Sequence, residues 1–370
     1  MTDTHEKKRI LIFSTAYFPF VGGAEIAVKE ITDRLPGFEF VMITAKLKKE
    51  LADTEKIGNV TVHRIGKGNG WDKYRLILNG WKKAKELGVF NTVWSIMASY
   101  AGFATLRFNK RNPQVPFLLT LQEGDSRWDI YKHVWWCWPY FKQIFKWADN
   151  IQAISNYLAS WAKEMGATCP IEVVPNGVVI EKVEAQEKNN DIKRIITVSR
   201  LVKKNGLEHL VRAIEIVTKK YHKSVVLKIV GDGELRNKLT HLADSSGLKD
   251  NVTIIGNVSY KEVYQHLKQA DVFVRPSLSE GLGNAFLEAM AAAVPVIGTR
   301  VGGIPDFLKD GETGWFCEPK NPDSIAEKIS YVLDEKNKDI VQQVVKNARE
   351  LVEEKYSWDL IAKQMKELFV

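Results

Sequence analysis

The sequence predicts an α/β protein with two domains, each a doubly wound parallel sheet. Short apolar runs alternate with helical runs along the whole chain, as doubly wound sheets require. At 370 residues the chain also exceeds what one hydrophobic core usually organises. A turn signal at Pro175-Asn176-Gly177 and a polar, linker-like run at Glu184–Asp191 separate the two halves. We therefore expect an N-terminal domain over residues 1–180 and a C-terminal domain over residues 192–355.

The expected strands are apolar runs, each bounded by turn residues and followed by a helical run. The first domain begins with a strand at Arg9–Ser14, a turn that contains Gly22 and Gly23, and an amphipathic helix at Ile26–Leu35. Its further strands are expected at Phe40–Thr44, Val60–Ile65, Thr92–Ile96, Phe117–Leu121, Ile151–Ile154 and Ile171–Val174. The strands of the second domain are expected at Ile195–Ser199, Val225–Val230, Val252–Ile255, Val272–Val274 and Val294–Ile297.

Composition favours a cytoplasmic protein. No apolar run is long enough to span a membrane, and the apolar stretch Ile10–Phe13 is too short for the core of a signal peptide. The three cysteines, Cys137, Cys169 and Cys317, are scattered and lack the spacing of metal ligands. An odd number of scattered cysteines is typical of a reducing compartment.

The positive charge is unevenly distributed. Most of the net charge of +8 falls in residues 1–176, and most of the 11 tryptophans fall between Trp71 and Trp161. A basic, tryptophan-rich face favours an anionic membrane surface or a phosphate-bearing acceptor as a partner. Nucleic acid is the competing interpretation of a basic surface, but the chain contains no recognised nucleic-acid-binding module, so we expect none.

The strongest functional signal lies in the segment from Ser277 to Val296, which carries two carboxylates eight positions apart. Pro276 ends the preceding strand, and a run of helix formers begins at Asn284, so Gly281, Leu282 and Gly283 are expected to form a strand-to-helix turn. The unpaired N–H groups of the helix N-terminus suit a diphosphate, and glycines let a ligand approach the backbone.

The two carboxylates, Glu280 in the turn and Glu288 in the helix, can accept hydrogen bonds from hydroxyls at two ends of one ligand. A sugar joined to a ribose by a diphosphate presents hydroxyls in this way. The competing interpretation is that Glu280 caps the helix and Glu288 is a solvated helix residue, since acidic residues favour the first turns of helices.

This segment resembles the donor-binding signature of the retaining glycosyltransferases of family 4, the glycosyl transferases group 1, and the resemblance extends over essentially the whole chain. It implies the GT-B fold, in which two Rossmann-like domains face each other across a cleft. It also implies transfer of a hexose from a UDP- or GDP-sugar to a glycan or lipid-linked acceptor, with Glu280 positioning the sugar and Glu288 holding the ribose. The last segment, residues 356–370, resembles the family's closing helix, which crosses back to complete the first domain.

Cationic side chains, rather than a metal, are expected to stabilise the leaving phosphate. The chain contains no Asp-x-Asp motif, and its histidines have no obvious partner as metal ligands, so no metal or other cofactor is expected. Arg200 and Lys204 follow a strand at the carboxyl edge where α/β sheets bind ligands. The family usually places its lysine five residues after the arginine, where this chain has Asn205, so we expect the adjacent Lys204 to act as the catalytic lysine together with Arg200.

Glycine turns and one backbone position complete the expected donor site. The pair Gly22 and Gly23 resembles the family's first-domain glycine loop, which approaches the diphosphate. Gly231 and Gly233 occupy a strand-to-helix turn, where they either admit the ligand or only tighten the turn. Val258 matches the place where the family's backbone meets the nucleotide base.

The acceptor side is expected at the end of the strand that precedes Gln122. Many relatives carry a histidine here beside the reacting sugar, whereas this chain has Gln122, or Glu123 if one residue is inserted. A glutamine can bind a hydroxyl but cannot act as a base, so a general base would have to be Glu123, Asp125 or neither. In the mechanism proposed for retaining members of this fold, the departing phosphate takes the acceptor's proton, and this mechanism does not need the histidine.

The aromatic stretch from Trp135 to Trp147 has apolar residues on two helical faces. Core packing is favoured for it over a lipid-facing helix or the wall of a site for a large acceptor, because tryptophan is usually buried and Pro139 interrupts any long helix. Lysines beside the aromatic residues keep a bilayer interface open as the alternative.

Two other classes of function compete with the transferase. One is a nucleotide-sugar sensor or degenerate partner subunit without turnover, which Gln122 and the displaced lysine suggest. The other is a sugar-nucleotide epimerase of the same fold, which would need an acid and a base near the sugar carbons.

Overall fold

The structure, a computed structural model, describes residues 7–181 and 192–369. It divides into two compact units. The first consists of the residues up to Gly177 together with those from Trp358 onward, and the second of Val178–Ser357. The predicted linker at Glu184–Asp191 lies outside the described residues.

The first unit is built around an eight-stranded sheet in the order β3-β4-β2-β1-β5-β6-β7-β8. All neighbouring strands are parallel except β3 and β4, which pair antiparallel at one edge. Its elements are β1 (Lys8–Phe13), α1 (Gly23–Asp33), β2 (Phe38–Ala45), β3 (Thr54–Ile57), β4 (Val60–Ile65), α2 (Asp72–Glu86), β5 (Thr92–Ile96), α3 (Tyr100–Asn109), β6 (Phe117–Leu121), α4 (Arg127–Val134), α5 (Trp138–Trp147), β7 (Asn150–Ala153), α6 (Asn156–Glu164) and β8 (Ile171–Val173).

The second unit contains a six-stranded, wholly parallel sheet in the order β11-β10-β9-β12-β13-β14. Its elements are β9 (Lys193–Val198), α7 (Leu207–Lys220), β10 (Val225–Val230), α8 (Arg236–Ser245), β11 (Val252–Gly256), α9 (Tyr260–Lys268), β12 (Val272–Val274), α10 (Asn284–Ala291), β13 (Val296–Gly298), β14 (Trp315–Phe316), α11 (Pro322–Val332) and α12 (Lys338–Lys355). Two parallel-sheet α/β domains are thus confirmed.

The last helix, α13 (Trp358–Glu367), belongs to the first unit. Its apolar face is buried in the same core as strands β1 and β2 and helix α1. Phe369, just beyond its end, packs its ring against Trp94 at a centroid separation of 5.0 Å and against Phe40 at 5.9 Å. The chain therefore enters the second unit at Val178 and returns from it at Ser357, where a β-bridge pairs these two residues.

Two short strands were not predicted. Strand β3 has the polar sequence Thr-Glu-Lys-Ile and lies at a sheet edge, and β14 has only two residues. The predicted strands are present with boundaries that shift by at most a few residues, and the helix predicted from Asn284 begins there. No helix among the described residues combines the length and apolar character needed to cross a bilayer.

The aromatic stretch forms a short 3-10 turn, Trp135–Cys137, followed by α5. Phe141, Ile144 and Phe145 are fully buried, as expected for core packing. The expectation is wrong for the other face of the stretch, where Trp135, Trp136, Tyr140 and Trp147 are exposed. One helix can bury only one face in this core, and the second aromatic face remains in solvent.

Candidate active site

Four neighbouring loops at the carboxyl edge of the second unit's sheet hold the donor-side residues predicted for that unit. Because β11, β10, β9 and β12 are adjacent and parallel, the loops that follow them leave the sheet side by side. These loops and the helix after the last of them carry, in sheet order, Val258, then Gly231 and Gly233, then Arg200 and Lys204, and then Glu280, Gly281, Leu282, Gly283 and Glu288.

In the loop after β9, hydrogen bonds hold the backbone of the two residues that carry the cationic side chains, Arg200 and Lys204. Buried Asn205 donates from Nδ2 to the Arg200 carbonyl over 2.6 Å, and the N–H of Leu278 donates to the Lys204 carbonyl over 2.6 Å. The Arg200 side chain is exposed and Lys204 is half-buried. Asn205 therefore closes the loop and supplies no charge at the position where the family usually has its lysine.

The two glycines after β10 are required by close packing between loops. A Cβ on Gly231, whose φ is +132°, would overlap the carbonyl oxygen of Ser199. A Cβ on Gly233 would lie 2.6 Å from the carbonyl oxygen of Leu201. These contacts account for the tightening of the turn, one of the two roles open for these glycines, and they bind this loop to the one that carries Arg200.

Glu280 is held by a buried arginine that the sequence analysis did not identify. The Arg275 guanidinium forms an ion pair with the Glu280 carboxylate from Nη2 and donates from Nη1 to the Val198 carbonyl over 3.3 Å. Its Cζ atom lies 4.8 Å from the centre of the Phe286 ring. The other Glu280 oxygen accepts from the N–H of Gly281 over 3.1 Å. The carboxylate is therefore fixed in one orientation at the end of β12.

The backbone around Glu280 is equally constrained. Gly302, with φ of +56°, packs so closely that a Cβ there would overlap the Glu280 carbonyl oxygen. The N–H of Gly303 donates to that carbonyl over 3.3 Å. On the other side, Gly283 has φ of +100° and begins α10 without a side-chain cap. Because its N-cap is a glycine, α10 has no N-cap side chain, and a helix N-terminus of this kind is suited to an anion.

Glu288 lines a pocket formed by α9, α10 and the first residues of the second unit. The lining residues are Val179, Glu181, Tyr260, Lys261, Val263, Tyr264, Leu267 and Glu288. Burial raises the pKa of Glu288 to about 7, and the positive charge of Arg275 opposes that increase. The buried Tyr264 hydroxyl has no hydrogen-bond partner among the described residues. A ligand in this pocket could form hydrogen bonds through its hydroxyl groups to polar side chains and stack a ring on aromatic side chains.

Tyr260 and Tyr264 were missed by sequence reasoning. They lie on α9, which begins two residues after Val258 and is capped by Ser259 with a capping box to Glu262. Two aromatic residues four apart directly after the expected base-binding position are the signal that could have identified them. Val258 itself is half-buried in the short loop between β11 and α9.

In the first unit, the residues predicted for the acceptor side lie at the carboxyl edge of the sheet, in the loop after β6. Glu123 is buried, and its Oε1 accepts from the N–H of Ala98 over 2.6 Å, while Oε2 has no hydrogen-bond partner among the described residues. Burial raises the pKa of Glu123 to about 7. Gln122 accepts from Asn176 Nδ2 over 3.2 Å, and Asp125 is exposed. Glu123 is thus the carboxyl group here whose protonation changes near neutral pH.

Gly22 and Gly23 lie at the same edge of the first unit's sheet. Gly22, which has no side chain, is the N-cap of α1, and Gly23 is its first residue. The neighbouring loops after β1 and β5 touch through Thr15 Oγ1 and Ser99 Oγ, 3.2 Å apart. The structure therefore brings the glycine pair and the acceptor-side loop to one sheet edge. Among the described residues, no group of three or more histidine, cysteine or acidic side chains could hold a metal ion.

The fold and these sites define a glycosyltransferase of the GT-B type. The family described as Glycosyl transferases group 1 matches residues 179–368, and the family described as Glycosyltransferase Family 4 matches residues 21–182. The first match alone covers more than half of the sequence. The chain therefore belongs to the Glycosyl transferases group 1 family.

Similar proteins agree with this assignment. An uncharacterized glycosyltransferase of Methanocaldococcus jannaschii is 27% identical over 353 residues, which is 94% of each chain. The GDP-mannose-dependent α-(1-6)-phosphatidylinositol monomannoside mannosyltransferase of Mycobacterium tuberculosis is 28% identical over 235 residues, covering 59% of this chain and 60% of that one. The crystal structure of Anabaena HepE in complex with UDP-glucose has the same fold, with a TM-score of 0.80, 16% identity and coverage of 97% and 98% of the two chains.

Proposed function

We propose that this glycosyltransferase is a retaining hexosyltransferase that uses a UDP- or GDP-sugar and acts on a glycan or lipid-linked acceptor. The observation that carries the proposal is the arrangement after β12. There the Glu280 carboxylate is fixed by Arg275, and Glu288, on the helix that follows, lines a pocket between α9 and α10. Two carboxylates, one before the N-terminus of α10 and one within the helix, suit a ligand with a diphosphate between two hydroxyl-bearing rings.

In the proposed donor complex, Glu288 accepts hydrogen bonds from the ribose hydroxyls, and Tyr260 or Tyr264 stacks on the base or ribose. The first turn of α10 donates to the diphosphate, with Gly281, Leu282 and Gly283 allowing its approach. Arg200 and Lys204 neutralise the charge that grows on the leaving phosphate. Glu280 binds hydroxyls of the transferred sugar and sets its orientation.

The proposed reaction takes place on one face of the sugar. The bond between the anomeric carbon and the phosphate oxygen breaks, and the acceptor oxygen forms a bond to that carbon on the same face. The acceptor hydroxyl gives its proton to the departing phosphate oxygen, so the configuration is retained and no protein base is needed. Gln122, Glu123 and Asp125 then orient the acceptor hydroxyl, and Glu123 is the alternative base because its pKa is about 7.

Similar proteins support both nucleotides, since one relative is GDP-mannose-dependent and the HepE structure contains UDP-glucose. The proposal includes no metal, a cytoplasmic location at the inner membrane surface, and contact of the first unit with an anionic membrane. The basic, tryptophan-rich first half supports the last two points.

The test is binding and slow hydrolysis of a panel of UDP- and GDP-sugars by the purified protein in excess chelator. We expect one donor to bind selectively and to be hydrolysed without added metal. Loss of activity in chelator that magnesium or manganese restores would contradict the metal-free mechanism. Failure of every nucleotide sugar to bind would reduce Glu280 and Glu288 to ordinary structural residues.

Asn205 favours a second candidate, a nucleotide-sugar sensor without turnover, because this position supplies no cation. The two candidates differ in one measurement. A sensor binds its nucleotide sugar tightly and releases no free nucleotide in the presence of a panel of glycan and lipid-linked acceptors, whereas the transferase releases it.

A further inference from the structure

Four aromatic side chains on α4 and the turn and helix that follow it are largely exposed to solvent. Trp128 is 75% exposed, Trp135 74%, Trp136 67% and Tyr140 61%. We call these four residues the aromatic ridge. A folded protein gains nothing from exposing so much apolar area in one place, and large exposed apolar patches mark interaction surfaces.

The ridge is the outer face of a segment whose inner face is part of the core. On α5, Phe141 and Phe145 are fully buried, and their rings lie 5.5 Å apart. Trp128, Lys132 and Trp135 follow at helical spacing along α4 and its end, and Tyr140 lies one turn beyond Trp136. The anchored inner face fixes the outer aromatic residues in place, so the ridge is a preformed surface.

The charge around the ridge is mainly positive. Lys132 is exposed on the same helix as Trp128, and Lys142 Nζ lies 6.0 Å from the centre of the Trp138 ring. The acidic residue on the same turn, Asp129, is 4.0 Å from Lys132 and accepts at Oδ2 from the Ser126 hydroxyl. Tryptophan and tyrosine beside lysine are suited to the headgroup region of a bilayer, where the ring meets the acyl boundary and the ammonium meets lipid phosphate.

A second exposed aromatic pair lies at the same edge of the sheet. Trp71 and Tyr74 are at the start of α2, with ring centroids 5.6 Å apart, and Tyr74 contacts Tyr100 at the start of α3 at 5.4 Å. Helices α2, α3 and α5 pack in sequence on one face of the sheet. Helices α2, α3 and α4 follow the parallel strands β4, β5 and β6, so their first turns lie at the same edge of the sheet. Aromatic residues are therefore concentrated at one end of this helical layer.

We propose that the aromatic ridge inserts into the headgroup region of an anionic phospholipid bilayer and holds the acceptor loop against the membrane. The ridge begins at Trp128, three residues after Asp125, and the N-cap of α4 is Ser126, which immediately follows the acceptor loop. A bilayer at the ridge thus meets the end of the loop that carries Gln122 and Glu123. This inference deepens the proposed function and rests on it, because the proposed function supplies the lipid-linked acceptor.

The test is flotation of the full-length protein with vesicles of phosphatidylcholine alone and of phosphatidylcholine with phosphatidylglycerol. We expect binding to the anionic vesicles that weakens with salt. The double variant Trp128→Ser/Trp135→Ser should bind about tenfold more weakly, because it removes apolar area from the bilayer. The variant Lys132→Gln should weaken binding by about fivefold, and only to anionic vesicles.

Matched controls come from the opposite edge of the same unit. Val89, which is 84% exposed, follows α2, and its carbonyl accepts from Arg9 at the start of β1 over 2.9 Å. Val89→Ser and Lys85→Gln should leave vesicle binding unchanged. If the protein binds neither type of vesicle at low salt, the proposal is overturned. It is also overturned if the ridge variants and the control variants lose vesicle binding equally. Thermal unfolding of each variant checks that it is folded.

The outcome is separable from that of the proposed function, because vesicle binding needs neither donor nor acceptor. Nucleotide-sugar binding is measured on the same samples and should be the same in the ridge variants and the parent protein. Vesicle binding without any nucleotide-sugar binding would support the ridge and contradict the transferase. Nucleotide-sugar turnover without vesicle binding would support the transferase and contradict the membrane role of the ridge.

Discussion

Arg275 and Glu280 form an ion pair within a single loop, with the arginine side chain buried beneath the glutamate. The arginine also reaches the Val198 carbonyl and lies against the Phe286 ring, so it connects β9, the loop after β12 and α10. Because its charge also acts on Glu288, one side chain influences both glutamates of the candidate donor site.

Replacing Arg275 with methionine should lower transfer by about 100-fold, because Glu280 loses the partner that orients it and a small misplacement at a reacting centre is costly. It should also destabilise the second unit by about 3 kcal/mol, since a half-buried carboxylate is left without its partner. Steady-state transfer and urea unfolding measure the two effects. Arg275→Lys keeps the charge and should be intermediate. Full transfer in the methionine variant would show that the pair has no part in the reaction.

The two glutamates should respond differently to truncation. Glu288→Ala is expected to weaken donor binding more than Glu280→Ala, because Glu288 lines the pocket proposed for the ribose. Glu280→Ala is expected mainly to lower the rate of transfer. Calorimetric donor binding and single-turnover transfer separate the effects, and equal binding losses with unchanged transfer would count against both assignments.

Donor affinity should depend on pH through Glu288. Its pKa of about 7 means that the carboxylate, which accepts the ribose hydroxyls, is lost as pH falls through 7. Affinity for an intact nucleotide sugar should therefore decrease by about tenfold between pH 8 and pH 6. Free UDP or GDP is unsuitable as the probe, because a terminal phosphate itself titrates at about pH 6. The Glu288→Gln variant should bind weakly and without this pH dependence, and a parallel pH dependence in both proteins would exclude Glu288 as its source.

Lys204 and Lys203 are adjacent and form a matched pair. Lys204→Met should reduce transfer by about 100-fold if its ammonium stabilises the leaving phosphate. Lys203→Met, at the exposed neighbouring position, should have little effect. Comparable losses in the two variants would indicate a general electrostatic contribution of the basic cluster in place of a specific contact.

Much of this architecture could be predicted because βα units leave local signals. Val272–Val274, Pro276, the glycines and the helix formers after Asn284 are contiguous, and each has its own propensity. Strand β3 was missed because a polar edge strand buries little and lacks an apolar pattern.

The partners of the candidate site were harder to predict. Nothing local indicates that Arg275 turns back to Glu280, or that Tyr264 lies beside Glu288, because those contacts depend on how the loop closes and how α9 packs near α10. The exposed face of the aromatic stretch was also misjudged, since composition shows that a segment is apolar but not which face meets the core.

The return of α13 to the first unit has a consequence for how the chain is made. The residues of α13 complete a core that also contains strands β1 and β2 and Trp94, yet they are synthesised after all of Val178–Ser357. During translation the first unit cannot complete its core until α13 has been synthesised, so part of its apolar interior stays exposed. The second unit is continuous in sequence and can finish folding before then. A ribosome-stalled chain ending before Trp358 should therefore contain a protease-resistant second unit and a protease-sensitive first unit.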